Sequence, residues 1–312
     1  MRAARLHGIG DLRIETLPDL EPGPGELLVR IEACGLCPTD LRKFLIGTSD
    51  GYPLNPGHEW LGRVEATGDD VAGWSVGDRV YGDTYAGYAD LALLATGGNP
   101  WSHGPLAVPD DLPADRAVFI EPLADCLHAI LDQGRVTRGD RVIVLGAGQM
   151  GLQLAAAASH AGAAVRVIEP DDRRRELALG LGADEVLAPD DFVPAGDADC
   201  VVLSIGDGGL VPACIDACAP GGRVVLFAGF GDRPMATLDL NKIHYREIAV
   251  VGSEWIGTPP NIRPQRYAEA RDLLAGGLAL EQLVERTVDL DGIADAFVAM
   301  RERRLMKAVL RP

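Results

Sequence analysis

Three short stretches bring together side chains able to hold a metal ion. Cys37 closes a Cys34-Gly35-Leu36-Cys37 spacing and is followed by Pro38-Thr39-Asp40. His58 and Glu59 stand side by side after Pro56-Gly57, and Glu121 opens Glu121-Pro122-Leu123-Ala124. A thiolate, an imidazole and carboxylates are ligand types of zinc sites that keep one position open for chemistry. The Cys-x-x-Cys by itself is compatible with half of a zinc knuckle or with a redox pair. No second Cys-x-x-Cys completes a four-thiolate site. Taken singly, each residue also has an ordinary role: a buried thiol for Cys37, a hydrogen-bonded loop residue for His58, and for Glu121 a carboxylate favoured by a helix N-terminus.

A second kind of chemistry is written in Val142-Ile143-Val144-Leu145-Gly146-Ala147-Gly148-Gln149-Met150-Gly151. An apolar strand runs into Gly-x-Gly-x-x-Gly, and small aliphatic residues suited to a helix follow. In that setting Gly146 allows a tight turn, Gly148 lets backbone approach a pyrophosphate, and Gly151 lets the helix pack on the strand. The helix N-terminus offers free N–H groups and a positive dipole end to phosphates. A second strand, Ala164–Ile168, ends at Glu169, where a carboxylate suits a ribose 2′-hydroxyl and repels a 2′-phosphate. This favours NAD over NADP, with Arg173, Arg174 and Arg175 nearby as the counter-signal. A βαβ unit for another nucleotide-like ligand, such as a methyl donor, is the competing reading of this stretch alone.

Around these groups the chain has two textures. Residues 1 to about 120 read as β-rich, with short apolar runs such as Glu26–Glu32 between Gly/Pro turns. From Glu121 strands alternate with helical segments. The strands are expected at Arg141–Leu145, Ala164–Ile168, Cys200–Ser204, Arg223–Ala228 and Ile248–Gly252, with helices including Arg173–Leu181 and Leu210–Cys218. That alternation is the pattern of a doubly wound parallel sheet. A Pro-rich connection, Thr258–Pro264, then leads to a last helix and a short β/α tail.

At 312 residues the chain is long enough for two domains and a sizeable core. Its net charge of −17 argues against nucleic acid or an anionic membrane surface as a partner. No run is long enough to span a bilayer, and the N-terminus lacks a signal peptide's apolar core, so a cytoplasmic setting is expected. In a reducing compartment the six scattered cysteines are buried thiols or metal ligands rather than disulfides.

Taken together, Cys-Gly-x-Cys-x-Thr-Asp, Gly57-His58-Glu59, Gly77-Asp78-Arg79-Val80, Glu121-Pro122-Leu123-Ala124 and the glycine fingerprint occur in an order that resembles the zinc-dependent medium-chain alcohol dehydrogenases. Glu121 and the stretch Ile243–Ile248 leading to Val251-Gly252-Ser253 resemble the sorbitol, polyol and sugar dehydrogenase branch. The resemblance implies a GroES-like β-rich catalytic domain over 1–122, completed by 258–312, and a Rossmann domain over 123–257. It implies one catalytic zinc held by Cys37, His58 and a carboxylate, Glu59, Glu121 or both in turn. Asp40 then orients the histidine, and Thr39 takes the substrate alcohol's proton. The cofactor-binding residues it implies are Gly146, Gly148, Gln149, Met150, Gly151, Glu169, Arg174, Ser204 and Ser253.

The implied reaction is hydride transfer between a secondary alcohol and NAD, on a sugar, polyol or (amino)cyclitol, by a homodimer or homotetramer. Trp60, Ser253, Glu254, Trp255 and His244 are the polar and aromatic candidates for substrate contact. Two departures stand out. No cysteine falls between Cys37 and Cys126, so the structural-zinc lobe of many relatives is expected to be missing. Arg42 stands where some relatives end a proton relay with histidine, and a guanidinium that stays protonated cannot relay in that way. Two other readings compete: a zinc-free NADPH quinone or enoyl reductase of the same fold, and a non-catalytic NAD-binding protein.

Overall fold

The structure, a computed structural model, describes residues 1–49, 51–98, 102, 104–231, 233–255, 258–259 and 261–312. Gly257, the last residue of the expected nucleotide domain, and Pro260 of the Pro-rich connection lie outside the described residues. The chain divides into two units, Met1–Glu121 with Pro260–Pro312, and Pro122–Pro259.

The first unit begins with a hairpin of β1 (Arg2–Gly8) and β2 (Asp11–Thr16). β3 (Glu26–Gly35) follows and is buried along most of its length. Helix α1 (Pro38–Ile46) comes next, then β4 (Glu59–Thr67), β5 (Arg79–Gly82), β6 (Leu91–Ala95) and β7 (Leu106–Ala107). Two helices, α2 (Ala114–Ala117) and α3 (Ile120–Leu127), lead towards the second unit. Leu27, Val29, Trp60, Val80 and Leu94 are fully buried in one core cluster. Removing each such side chain from water contributes roughly 1.5–3 kcal/mol.

The second unit is the parallel sheet anticipated from the alternating pattern. Its strands are β8 (Arg141–Leu145), β9 (Ala164–Ile168), β10 (Glu185–Leu187), β11 (Ala198–Leu203), β12 (Cys218–Leu226) and β13 (Ala249–Gly252). Their order across the sheet is β10-β9-β8-β11-β12-β13. The order reverses between β8 and β11, and ligands of such sheets bind at that switch, outside the strands' carboxyl ends. Helices α4 (Gln149–His160), α5 (Asp172–Gly180), α6 (Val211–Ala217) and α7 (Leu240–Arg246) connect the strands. The first two strands have the expected bounds. β12 starts earlier than expected, because the ladder runs through Pro220-Gly221-Gly222 with a register shift opposite Ala198/Cys200. β10 escaped sequence reading, being three partly exposed residues long.

The chain then returns to the first unit through α8 (Arg263–Ala275), β14 (Val284–Val288), α9 (Ile293–Arg301) and β15 (Lys307–Leu310). β15 pairs antiparallel with β3, which completes a seven-stranded sheet among the described residues. Phe297 of α9 packs against Phe44 of α1, ring centres 5.6 Å apart, and so anchors the helix whose first turn carries Cys37, Thr39 and Asp40. Among the described residues no helix is long and apolar enough to cross a membrane.

Candidate metal and cofactor site

Cys37 caps α1. Its extended backbone (φ −103°, ψ 142°) precedes Pro38, and its Sγ accepts the Thr39 N–H at 3.4 Å. A helix N-terminus favours negative charge, so a thiolate is well placed here. His58 and Glu59 lie where the loop after Gly57 enters β4. Donor atoms of Cys37, His58 and Glu59 all lie within 4.8 Å of one another, and they are the one such group among the described residues. Glu121 is not part of it, although its carboxyl feels both His58 and Glu59.

Behind these three, Asp40 is buried. Its Oδ2 lies 3.3 Å from His58 Nδ1 and accepts the Tyr88 hydroxyl at 3.1 Å, while its Oδ1 accepts the Gly57 N–H at 3.3 Å. Burial works against the Asp40 charge, but His58 and these hydrogen bonds hold its carboxyl below the usual range. Conversely, Asp40 and Cys37 outweigh burial at His58 and raise it well above an ordinary imidazole. Burial, and then Glu59, push the Cys37 thiol up. A divalent cation among the three donors would reverse that balance, since a coordinating thiol is deprotonated. The donor set therefore fits zinc: one sulfur, one nitrogen and one carboxylate, with an aspartate orienting the histidine.

Glu59 has a second partner that the motif did not reveal. The Lys307 ammonium of β15 donates to Glu59 Oε2, and both side chains are 1% exposed. Gly35 makes the contact possible, because a Cβ there would sit 2.1 Å from Glu59 Oε2 and 2.9 Å from Lys307 Nζ. A lysine inside the apolar run Leu305–Leu310 was the available signal. Glu121 is the second residue of α3, and its N–H donates to the Tyr81 hydroxyl at 3.2 Å. Burial, reinforced by Glu59 and Asp83 and opposed by His58 and Lys307, pushes its carboxyl up to about 7.

In the second unit the glycine loop has the geometry its spacing implied. Gly146 has φ +94°, and a Cβ there would meet Ile205 at 2.6 Å. A Cβ on Gly151 would strike the Gly146 carbonyl at 1.9 Å, so only glycine lets α4 start against the loop. Gly148 faces open space and caps α4 without a side-chain bond, which leaves backbone N–H groups for a ligand. This cradle fits a pyrophosphate.

Glu169 is buried after β9. Its Oε2 accepts the Ala147 N–H at 2.7 Å and its Oε1 accepts the Asp171 N–H at 3.1 Å. Four lone-pair directions leave it able to accept a ribose hydroxyl as well. Ser204 lies with Oγ 2.7 Å from the Leu145 carbonyl and 2.9 Å from that of Gly146, so it pins the loop from beneath. Gln149 is buried with both amide atoms unbonded, and Met150 is half-buried beside it. Arg174 donates its N–H to Asp171 Oδ1 at 3.0 Å, and its guanidinium makes no ion pair among the described residues. Ser253 is buried with an unbonded hydroxyl, and with Glu254 it lines a cavity of about 540 Å³ beyond β12 and β13.

Two substrate-contact candidates are corrected. Trp60 is fully buried, its Nε1 donating to the Thr84 carbonyl at 2.8 Å, and is a core residue. His244 is exposed near the end of α7 and stacks edge-on with Tyr245. That places it before the amino end of β13, whereas Ser253 and Glu254 follow the carboxyl end. Trp255 packs edge-on against His128, 6.1 Å between ring centres.

Residues 23–99 match the alcohol dehydrogenase GroES-like domain, and residues 146–276 match the zinc-binding dehydrogenase domain. Sorbitol dehydrogenase of Bombyx mori is 30% identical over 293 residues, covering 80% of this chain and 83% of the relative. The chain belongs to the zinc-dependent medium-chain alcohol dehydrogenase family. Within it, (R,R)-butanediol dehydrogenase of Bacillus subtilis strain 168 is 26% identical over the full length of both chains. A solved Bacillus subtilis 2R,3R-butanediol dehydrogenase shares the fold with a TM-score of 0.88 at 24% identity, covering 100% of this chain and 99% of that one. A zinc-binding dehydrogenase from Sinorhizobium meliloti 1021, solved with NADP, aligns with a TM-score of 0.88 at 25% identity, covering 100% and 99%. This member of the family is therefore an oxidoreductase of the alcohol and polyol dehydrogenase type, using zinc and a nicotinamide cofactor.

Proposed function

We propose that this dehydrogenase interconverts a secondary alcohol and a ketone on a sugar, polyol or (amino)cyclitol, with NAD and one catalytic zinc per chain. The observation that carries the reading is the clustering of Cys37, His58 and Glu59 donor atoms within 4.8 Å, with Asp40 3.3 Å behind the histidine. Cys37, His58 and Glu59 would hold the metal, and Glu121 stands close by as the alternative carboxylate. When bound, zinc supplies Lewis-acid stabilisation of charge on the substrate oxygen, and the nicotinamide supplies the hydride acceptor. Oxidation removes a proton and a hydride from the carbinol and leaves the ketone and NADH.

Thr39 is exposed on the first turn of α1, two residues from Cys37. Its Oγ1 takes the proton from the substrate hydroxyl and passes it to water, because Arg42 has no free lone pair to receive it. The glycine loop and the α4 N-terminus hold the pyrophosphate, with Gln149, Met150, Ser204 and Ser253 around them. Glu169 accepts from the adenosine ribose, and Arg174 lies one turn into the next helix. Assembly as a homodimer or homotetramer belongs to the same proposal. Supporting it, β13 is the outer strand of its sheet and Val250, Tyr245 and Leu240 near it are exposed. A cytoplasmic setting fits six buried cysteines that form no disulfide among the described residues.

The deciding experiment is zinc content per chain on protein purified without chelator, beside Cys37→Ser. About one equivalent, lost in the variant together with NAD-linked polyol oxidation, supports the reading. A wild type that stays zinc-free after metal-replete expression overturns it.

A further inference from the structure

Three neighbouring strands of the first unit, β15, β3 and β4, bring one cation directly onto the donor cluster. Gly35 of β3 stands opposite Glu59 of β4 on one side and Val309 of β15 on the other. Lys307, two residues before Val309, reaches over Gly35 to Glu59 Oε2, and a Cβ on Gly35 would sit 2.9 Å from Lys307 Nζ. Phe119, fully buried, has its ring centre 5.4 Å from the same ammonium. Lys307 is more deeply buried than any other lysine or arginine among the described residues. Lys43, by contrast, stands one side chain removed from the cluster. Its ammonium lies 3.9 Å from the centre of the Tyr85 ring, and that ring lies 5.1 Å from the His58 imidazole.

The two buried partners behind the donor atoms have opposite signs. Asp40 puts a negative charge behind His58, and Lys307 puts a positive charge behind Glu59. An aspartate raises the basicity of the imidazole it faces, and by the same electrostatics an ammonium lowers the charge its carboxylate offers elsewhere. In the loaded site, compensating Glu59 does not call for a lysine. A divalent cation among Cys37, His58 and Glu59 would compensate it, and an ammonium beside that cation adds a repulsion that buried surroundings screen poorly. A cation kept there against that repulsion acts on the loaded site.

We propose that Lys307 is a positioning residue for the reaction: it draws charge from Glu59, keeps the metal position electron-poor and so strengthens its hold on negative charge at the substrate oxygen. This rests on Cys37, His58 and Glu59 being the reaction centre. Charge develops on the substrate oxygen as the hydroxyl proton leaves, so the withdrawal favours the transition state over the neutral alcohol. The same withdrawal makes Glu59 a weaker ligand. Lys307 therefore lowers metal affinity as it raises reactivity, the opposite of what a structural brace does.

Two readouts that need no substrate test this on the metal-loaded protein. Zinc release to a chromophoric chelator should be about ten-fold slower in Lys307→Met than in wild type. Azide, a small anion, titrated into cobalt-substituted protein and followed by the visible bands, should bind that variant about ten-fold more weakly. Lys307→Gln keeps a hydrogen-bond donor and loses the charge. It should behave as Lys307→Met does, and it replaces that variant where methionine prevents folding. Lys307→Arg keeps the charge and should restore most of both values. Zinc release that is unchanged or faster in the neutral variants overturns the proposal and leaves the zinc centre standing. So does an azide affinity that does not change. A wild type that binds neither zinc nor cobalt overturns the reading on which the proposal rests.

Discussion

Lys307 and Glu59, 248 residues apart in sequence, meet as a buried ion pair over Gly35, next to the donor atoms of Cys37 and His58. The pair answers a physical problem, because Glu59 alone would be a charge cut off from water. In the proposed holoenzyme Glu59 would have two cationic partners, Lys307 and the zinc.

Removing one partner of a buried pair leaves the other uncompensated. Lys307→Met should therefore destabilise the zinc-stripped protein by about 3 kcal/mol, and the double change with Glu59→Gln should recover most of that loss. Urea titrations of the two single variants and the double variant measure the coupling. Additive losses would remove the pair from the account.

Thr39→Ala should retain zinc and NAD binding while kcat falls roughly a hundred-fold or more, the usual contribution of a positioned proton acceptor. Cofactor titration by fluorescence and steady-state rates on the same sample separate the two. Unchanged turnover would remove Thr39 from the proton path.

Glu169 accepts the Ala147 N–H, and the proposed function gives it a second task, accepting a ribose hydroxyl. Glu169→Ala should weaken NAD and narrow its advantage over NADP by about ten-fold. Because the glycine loop also loses a strut, NADP affinity should fall too, though by less. A preference ratio that stays constant would assign Glu169 to the loop alone.

The Glu121 carboxyl, up to about 7 from an ordinary 4.5, binds its proton more tightly in the folded chain than in the unfolded one. Its contribution to stability is thus fully present below about 4.5 and is lost as pH rises through about 7. On zinc-stripped protein, the melting temperature of Glu121→Gln relative to wild type should climb between pH 5 and pH 8. A pH-independent difference would show that Glu121 is not held protonated by its surroundings.

Much of this protein was legible from local sequence. The glycine fingerprint, its flanking strand and helix, and Glu169 after the next strand are all set by neighbours in the chain. Backbone sterics at Gly146 and Gly151 admit few alternatives, and the hydrophobic periods give the parallel sheet. Cys37, Thr39 and Asp40 were readable because one capped helix turn presents them, and His58 and Glu59 because they are adjacent.

Tertiary structure alone decided what these groups face. Of two candidate carboxylates, Glu59 joins the donor cluster and Glu121 stands outside it, a distinction of distance that no spacing encodes. Trp60 went to the core because Gly82 and Gly87 leave room for its ring, and His244 went to the helix before the amino end of β13. Lys307 reached Glu59, and Tyr85 reached His58 and Lys43, only through pairing of β15 with β3 and the course of the β5–β6 connection. Local propensity chooses elements. Long-range pairing chooses which buried charges must neutralise one another, since an unpaired charge away from water is too costly to leave.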